Sequence, residues 1–203
     1  MRHIVKGPEP QELTDYKKTP GVGYAHIPGK VKDAVRNVCR AEQHGLCAYC
    51  GADLPTDPQM QRVSHLVPQS VNSARDLDYN NLVTSCSSGF AGPGRLPRKA
   101  DETCDMRQGS REIPVKPTDA GCQARFLFLD NGGIEGTPND KDAARTIEIL
   151  NLRAERLRRS RESAIEAARS LRRDYPGPEW RSFLQSAAGL SLEFGPAIEQ
   201  CVQ

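Results

Sequence analysis

The chain has 203 residues, 37% of them hydrophobic, with 17 glycines and 15 prolines, enough for one modest core crossed by many loops. Its net charge of +2 excludes a molecule that holds nucleic acid by overall charge, so any such surface has to be local. No stretch approaches the roughly 20 apolar residues needed to cross a bilayer, and the first residues lack an apolar run behind a basic start, so a cytoplasmic protein without membrane contact is expected.

Residues 1–29 are interrupted by Gly7-Pro8-Glu9-Pro10, Pro20-Gly21 and Pro28-Gly29, which predicts an extended N-terminal arm. Over residues 30–44, Val31, Ala34, Val35, Val38 and Ala41 recur at steps of three and four, which predicts a helix closed by Gly45. Gly51, Pro55 and Pro58 mark turns, and the alternation around Val63 predicts a short strand over 61–66. Residues 76–83 have helix-like spacing. Gly89, Gly92, Pro93, Gly94 and Pro97 then form a loop ahead of Cys104.

Residues 125–129 read as a strand, and Asn131-Gly132-Gly133 as the turn of a small hairpin that continues at Ile134. With Asn139 as cap, Ile147, Leu150, Ala154, Leu157, Ala164, Ala168 and Leu171 keep helical spacing, with Arg161 in the one missing place. This predicts one long helix, or two with a break near Asn151. Pro176-Gly177-Pro178 ends it, and Trp180, Phe183, Leu184, Leu190 and Leu192 predict a helical tail that folds back.

Seven cysteines are an odd number, and in an unexported protein they fit thiols or metal ligands better than a disulfide framework. Cys47 and Cys50 have the two-residue gap that lets both sulfurs of one turn reach a single zinc ion. Cys86 and Cys104 complete a set of four if the intervening loop doubles back. Cys39, Cys122 and Cys201 lack such a context and read as structural.

Inside that set stand His65, Asn81 and, just after the last cysteine, Asp105. Phosphodiester hydrolysis needs a base for the attacking water and a cation for the charge that grows on the phosphate. A histidine, with its pKa near neutrality, suits the first task. A carboxylate such as Asp105 suits Mg2+ or Mn2+, hard cations that cysteine does not. Asn81 is a candidate to fix the histidine-bearing loop through its amide.

The order Cys47-Ala48-Tyr49-Cys50, Ser64-His65, Asn81-Leu82, Cys86, Cys104-Asp105 resembles the zinc-ribbon HNH endonucleases of ββα-metal fold. The resemblance implies His65 as general base, Asn81 as the loop-fixing residue, Asp105 as the last catalytic-metal residue, and the four cysteines as structural zinc ligands. The opening Ile4-Val5-Lys6-Gly7-Pro8-Glu9-Pro10, with Leu13, Tyr16 and Thr19-Pro20-Gly21, is similar to the HNH subunit of Septu and retron-associated anti-phage systems, as are Arg125-Phe126, Gly133-Ile134, Thr146-Ile147 and Leu150-Asn151-Leu152. That likeness implies an ABC-type ATPase partner. The chain departs from the pattern at Ser64, where a carboxylate is usual, with Asp76 and Asp78 as nearby acids that could compensate; at Gln108, near the place of a lysine; and in the long Cys86 to Cys104 loop.

Between Arg145 and Arg173 nine arginines outnumber the interleaved acids Glu148, Glu155, Glu162 and Glu166. Arg153, Arg156 and Arg159 are the candidates for phosphate contact, against a solvated helix face as the plain alternative. Arg161, inside the apolar stripe, points to a partner or an acid rather than a dry core.

The expectation is an α+β protein with an extended arm (1–29), a ββα-metal core with a four-cysteine zinc ribbon (30–112) and a hairpin followed by helices (113–203). The expected activity is DNA hydrolysis in anti-phage defence. The alternative is an inactive zinc-ribbon adaptor on nucleic acid or on the ATPase.

Overall fold

The computed structural model describes residues 1–87, 98–174 and 179–202; Gly89, Gly92, Pro93, Gly94, Pro97 and Pro176-Gly177-Pro178 lie outside the described residues. The architecture is α+β, with helices around two small antiparallel sheets.

The arm is not extended throughout. Pro10, held in an extended conformation, opens helix α1 (Gln11–Lys17), and a 3-10 turn follows at Tyr24–His26. The reason is a local apolar anchor: Leu13 is fully buried against α2 (Gly29–Glu42), in a core that also takes Val31, Val35 and Cys39 from one face of that helix. Beyond α2 the chain turns at Gly45, whose left-handed backbone lets its N–H reach the Arg40 carbonyl at 2.9 Å.

Strand β1 (Gln61–His65) pairs antiparallel with β2 (Leu82–Cys86), Gln61 opposite Cys86 and His65 opposite Leu82. The helix expected over 76–83 is absent. Two 3-10 turns stand in its place, Ser73–Arg75 capped by Asn72 and Tyr79–Asn81 capped by Asp78, and the chain then enters β2, every residue of which is buried. Asn and Asp side chains that bond the backbone two residues on favour turns over helix, and five consecutive buried positions suit a strand covered on both faces. Helix α3 (Cys104–Gln108) packs across this hairpin, so β1, β2 and α3 form a ββα unit.

The second hairpin, β3 (Phe126–Phe128) and β4 (Ile134–Gly136), turns at Gly132, whose φ of +75° only glycine adopts readily. Helix α4 (Lys141–Leu150) is capped by Asp140, which accepts from Ala143 N at 2.8 Å; Asn139, the expected cap, is one residue too early and takes a left-handed conformation. Asn151, also left-handed, breaks the helix before α5 (Glu155–Asp174). Helices α6 (Glu179–Gln185), α7 (Ala187–Leu190) and α8 (Gly195–Cys201) follow, and α8 packs on β3 and α5.

Two cores result. The smaller lies between α1, α2 and the first hairpin. The larger joins the four cysteines to Phe126, Ile147, Leu157 and Ile198, so residues on both sides of position 112 share it. Among the described residues no helix is long and apolar enough to cross a membrane.

Candidate metal centre and histidine site

Cys47 and Cys50 sit on a tight knuckle after α2. Gly51 turns it with a φ of +76°, and the Cys47 carbonyl accepts the Gly51 N–H at 3.1 Å. Gln43 fixes the knuckle to the hairpin: its amide donates to the Leu46 and Thr84 carbonyls, both at 2.7 Å, and its oxygen accepts Thr84 N–H at 2.8 Å. β2 ends at Cys86 and α3 begins at Cys104.

All four cysteines are buried, and their sulfurs lie within 4.8 Å of one another. Cys47 to Cys104, Cys50 to Cys86 and Cys86 to Cys104 are each 3.8 Å apart. Four sulfurs about 2.3 Å from one ion at tetrahedral angles are separated by about 3.8 Å, whereas a disulfide requires about 2 Å. The set therefore fits a tetrahedral thiophilic ion such as zinc. Burial raises Cys47, yet S–H donors from Cys104, Cys50 and Cys86 outweigh it and hold that thiol well below its ordinary value; Cys104 is pushed well above, chiefly by Cys47.

His65 ends β1. Its Nε2 lies 2.9 Å from the Asp76 carbonyl, which can only accept, so Nε2 carries the proton and a neutral ring keeps its lone pair at Nδ1. The Tyr24 ring, brought by the arm, packs edge-on against it at 4.5 Å between centroids. Burial pulls the His65 pKa below the ordinary value, with partial opposition from the Asp76 carbonyl and the Asp105 charge.

Asn81, fully buried, accepts Val67 N–H at 2.8 Å and donates to the carbonyls of Val67 and Arg75, both at 3.0 Å. It thus closes the loop that leaves His65. The two acids of that loop have other partners: Asp76 accepts the Tyr24 N–H at 2.8 Å and pins the arm, and Asp78 pairs with Arg75 and caps a turn.

The Ser64 side chain is fully buried, with its oxygen 2.7 Å from the Tyr49 hydroxyl. Tyr49 in turn donates to Gln108 Oε1 at 3.1 Å, and Gln108 Nε2 donates to the His65 carbonyl at 3.2 Å. Because Gln108 is oriented by the His65 carbonyl, the chain runs from Ser64 through Tyr49 to Gln108. Ser64 and Gln108 are therefore structural ties. Tyr49 is one of the two residues between Cys47 and Cys50, so the chain also links that knuckle to His65.

Asp105, in the first turn of α3, accepts from Arg62 Nε at 2.6 Å across the hairpin. Apart from the four cysteines, no group of three metal-ligating side chains occurs among the described residues, so the region around His65 offers Asp105 and no ready-made cage for a hard cation. Two cations that sequence reasoning passed over stand beside these groups: Arg62, paired with Asp105, and Lys32, 5.7 Å above the Tyr24 ring.

The three candidate arginines are exposed, and each also has a partner within the chain. Arg153 donates to the Ile134 carbonyl at 3.2 Å, Arg156 to Thr103 Oγ1 at 3.2 Å, and Arg159 to Glu155 at 2.8 Å. Arg161 has no acid partner among the described residues and no exposed face: it is 1% exposed and donates to the Gly132 and Leu152 carbonyls at 2.7 and 2.9 Å. Comparison with protein-family models finds no match, and comparison with curated proteins finds none either.

Proposed function

We propose that the chain is an HNH-type endonuclease that hydrolyses DNA phosphodiester bonds. What supports this reading above all is the ββα unit in which His65 presents Nδ1 while Nε2 is tied to the Asp76 carbonyl, beside a loop closed by Asn81 and an acid at the start of the helix. His65 would take the proton of a water held at Nδ1 as that water attacks phosphorus. Tyr24 and Asn81 are positioning residues: one packs the ring, the other fixes the loop that carries the Asp76 carbonyl.

Arg62 is half-exposed while Asp105 is largely buried, and an incoming phosphate that takes the Arg62 guanidinium would leave Asp105 free. A hard divalent cation, when bound, neutralises charge on the scissile phosphate. Mg2+ commonly keeps several waters and binds through one or two carboxylates plus substrate phosphate, a demand that Asp105 and the substrate together can meet. The cysteine set would hold structural zinc. The setting in anti-phage defence with an ABC-type ATPase rests on the resemblance of the N-terminal residues and of the C-terminal half to such subunits.

A second reading, a zinc-ribbon adaptor without catalysis, is favoured by one observation: Ser64 is locked in a neutral hydrogen-bond chain where a carboxylate would assist the cation. Incubation of purified protein with plasmid DNA in Mg2+, in Mn2+ and in chelator, alone and with the ATPase, separates the two. Metal-dependent nicking supports the nuclease. DNA binding without strand scission in every lane supports the adaptor.

A further inference from the structure

The end of α5 carries cations that the fold leaves unused. Arg172, with Arg181 from α6, lines a groove of about 540 Å3 whose other walls include Trp180, Leu184 and Val202. A second hollow of about 370 Å3 shares Arg172 and Val202 with it and adds Arg169 and Arg173. Trp180, Leu184 and Val202 belong to the larger core, so the arginines stand on a packed wall.

Donors are in surplus here. Among the described residues neither Arg172 nor Arg181 has a hydrogen bond or an ion pair, and Arg173 bonds Ser170 Oγ of its own helix at 3.3 Å. Glu199, the carboxylate in the lining, is taken by Arg2 and Gln123, and Arg169 is paired with Asp130 and the Cys201 carbonyl. The Trp180 indole N–H is buried without an acceptor among the described residues. A helix C-terminus favours cations, which accounts for Arg172 and Arg173 by stability alone. It does not account for Arg181, which a second helix brings to the same groove from near its own N-terminus, where a cation is disfavoured.

We propose that this groove binds the phosphodiester backbone of DNA, away from His65 and without reading bases. Guanidinium forks match phosphate oxygens in pairs. Steps of three and four residues put Arg169, Arg172 and Arg173 side by side on α5, as a row of successive phosphates requires. With a net charge of only +2 the chain needs such a local surface to hold a polyanion. The proposal deepens the nuclease reading by giving the substrate a second hold, and binding is measured without cleavage so that the two fail separately.

The test titrates fluorescein-labelled duplex DNA with the full chain in buffer without added Mg2+ or Mn2+, over salt from about 50 to 200 mM. Wild type is compared with the pair Arg172→Gln and Arg181→Gln and with the pair Arg172→Lys and Arg181→Lys, after circular dichroism has shown equal helicity. Trp180 is the one tryptophan of the chain, so its emission reports on the groove directly. The expected result is a change in Trp180 emission on binding, affinity of the glutamine pair lower by about tenfold or more, and a log-log salt slope shallower by about 1 per arginine removed, with the slope kept by the lysine pair. No binding by wild type, equal affinity and slope in the glutamine pair, or binding that leaves Trp180 emission unchanged overturns the site. Oligoglutamate that displaces labelled DNA as well as unlabelled DNA does, at equal charge, overturns the phosphate assignment and makes the groove a seat for an acidic protein segment. Should the glutamine pair fail to fold, Arg181→Gln alone, at an exposed position, is read for a slope change of about 1, and no change overturns the site. Plasmid nicking in Mg2+ is followed in parallel: binding through the groove without nicking keeps this proposal and sinks the nuclease, and nicking with binding unchanged in the glutamine pair does the reverse.

Discussion

Asn81 and Val67 share two hydrogen bonds, the Asn81 oxygen accepting the Val67 N–H at 2.8 Å and its amide donating to the Val67 carbonyl at 3.0 Å, so one side chain does for this loop what a strand neighbour would do. Asn81→Ala leaves the Val67 N–H and carbonyl without this partner and the Arg75 carbonyl with the Asp78 N–H alone, at a cost of roughly 3 kcal/mol. Urea unfolding should register that loss. Cleavage should fall more than folding alone accounts for, since the Asp76 carbonyl that orients His65 lies on the same loop; full activity in a destabilised variant would separate the loop from the chemistry.

Ser64 is a partner of Tyr49 and no ligand. Ser64→Ala therefore costs about 1 kcal/mol, one neutral hydrogen bond, and leaves the dependence of cleavage on Mg2+ concentration unchanged. A rise in the Mg2+ requirement would instead assign Ser64 to the cation.

Gly132 answers to both its backbone and its neighbour. A Cβ there would lie 2.0 Å from the Arg158 carbonyl, and φ is +75°. Gly132→Ala should lower stability by roughly 2 kcal/mol or more. An unchanged melting temperature would mean that the turn does not press on α5.

Cleavage should depend on pH through His65. Its folded pKa lies below the ordinary value of about 6.5, so the neutral base is present at pH 7 and the acid limb of kcat/KM falls below about pH 6.5. The same shift opposes folding in acid: between the two pKa values the unfolded chain binds the proton and the native chain does not, so stability rises with pH there and drops as pH falls from about 6.5. A limb centred above 6.5, or one unchanged in His65→Ala, contradicts this assignment.

Much of the frame is legible in the sequence because it depends on local signals. The stripe of α2, the alternation of β1, the Asn131-Gly132-Gly133 turn, the break at Asn151 and the paired cysteines are all written in neighbouring residues. What is hidden depends on distant partners. Residues 76–83 read as helix, whereas the chain turns there and, from Leu82, pairs with β1 as a strand. Helix α1 escapes notice behind its prolines, although Leu13 anchors it. The chain from Ser64 through Tyr49 to Gln108, the clamp by Gln43 and the buried Arg161 are polar residues made acceptable by contacts far along the sequence, which no spacing announces.

The most direct measurement is plasmid cleavage by wild type and His65→Ala in Mg2+ and Mn2+, each alone and with the ATPase, after equal zinc content and circular dichroism have been established for both. Loss of a general base predicts cleavage by wild type and a fall of about 100-fold or more in the variant. Equal cutting by the two proteins, or none by wild type in any condition, would contradict the nuclease account.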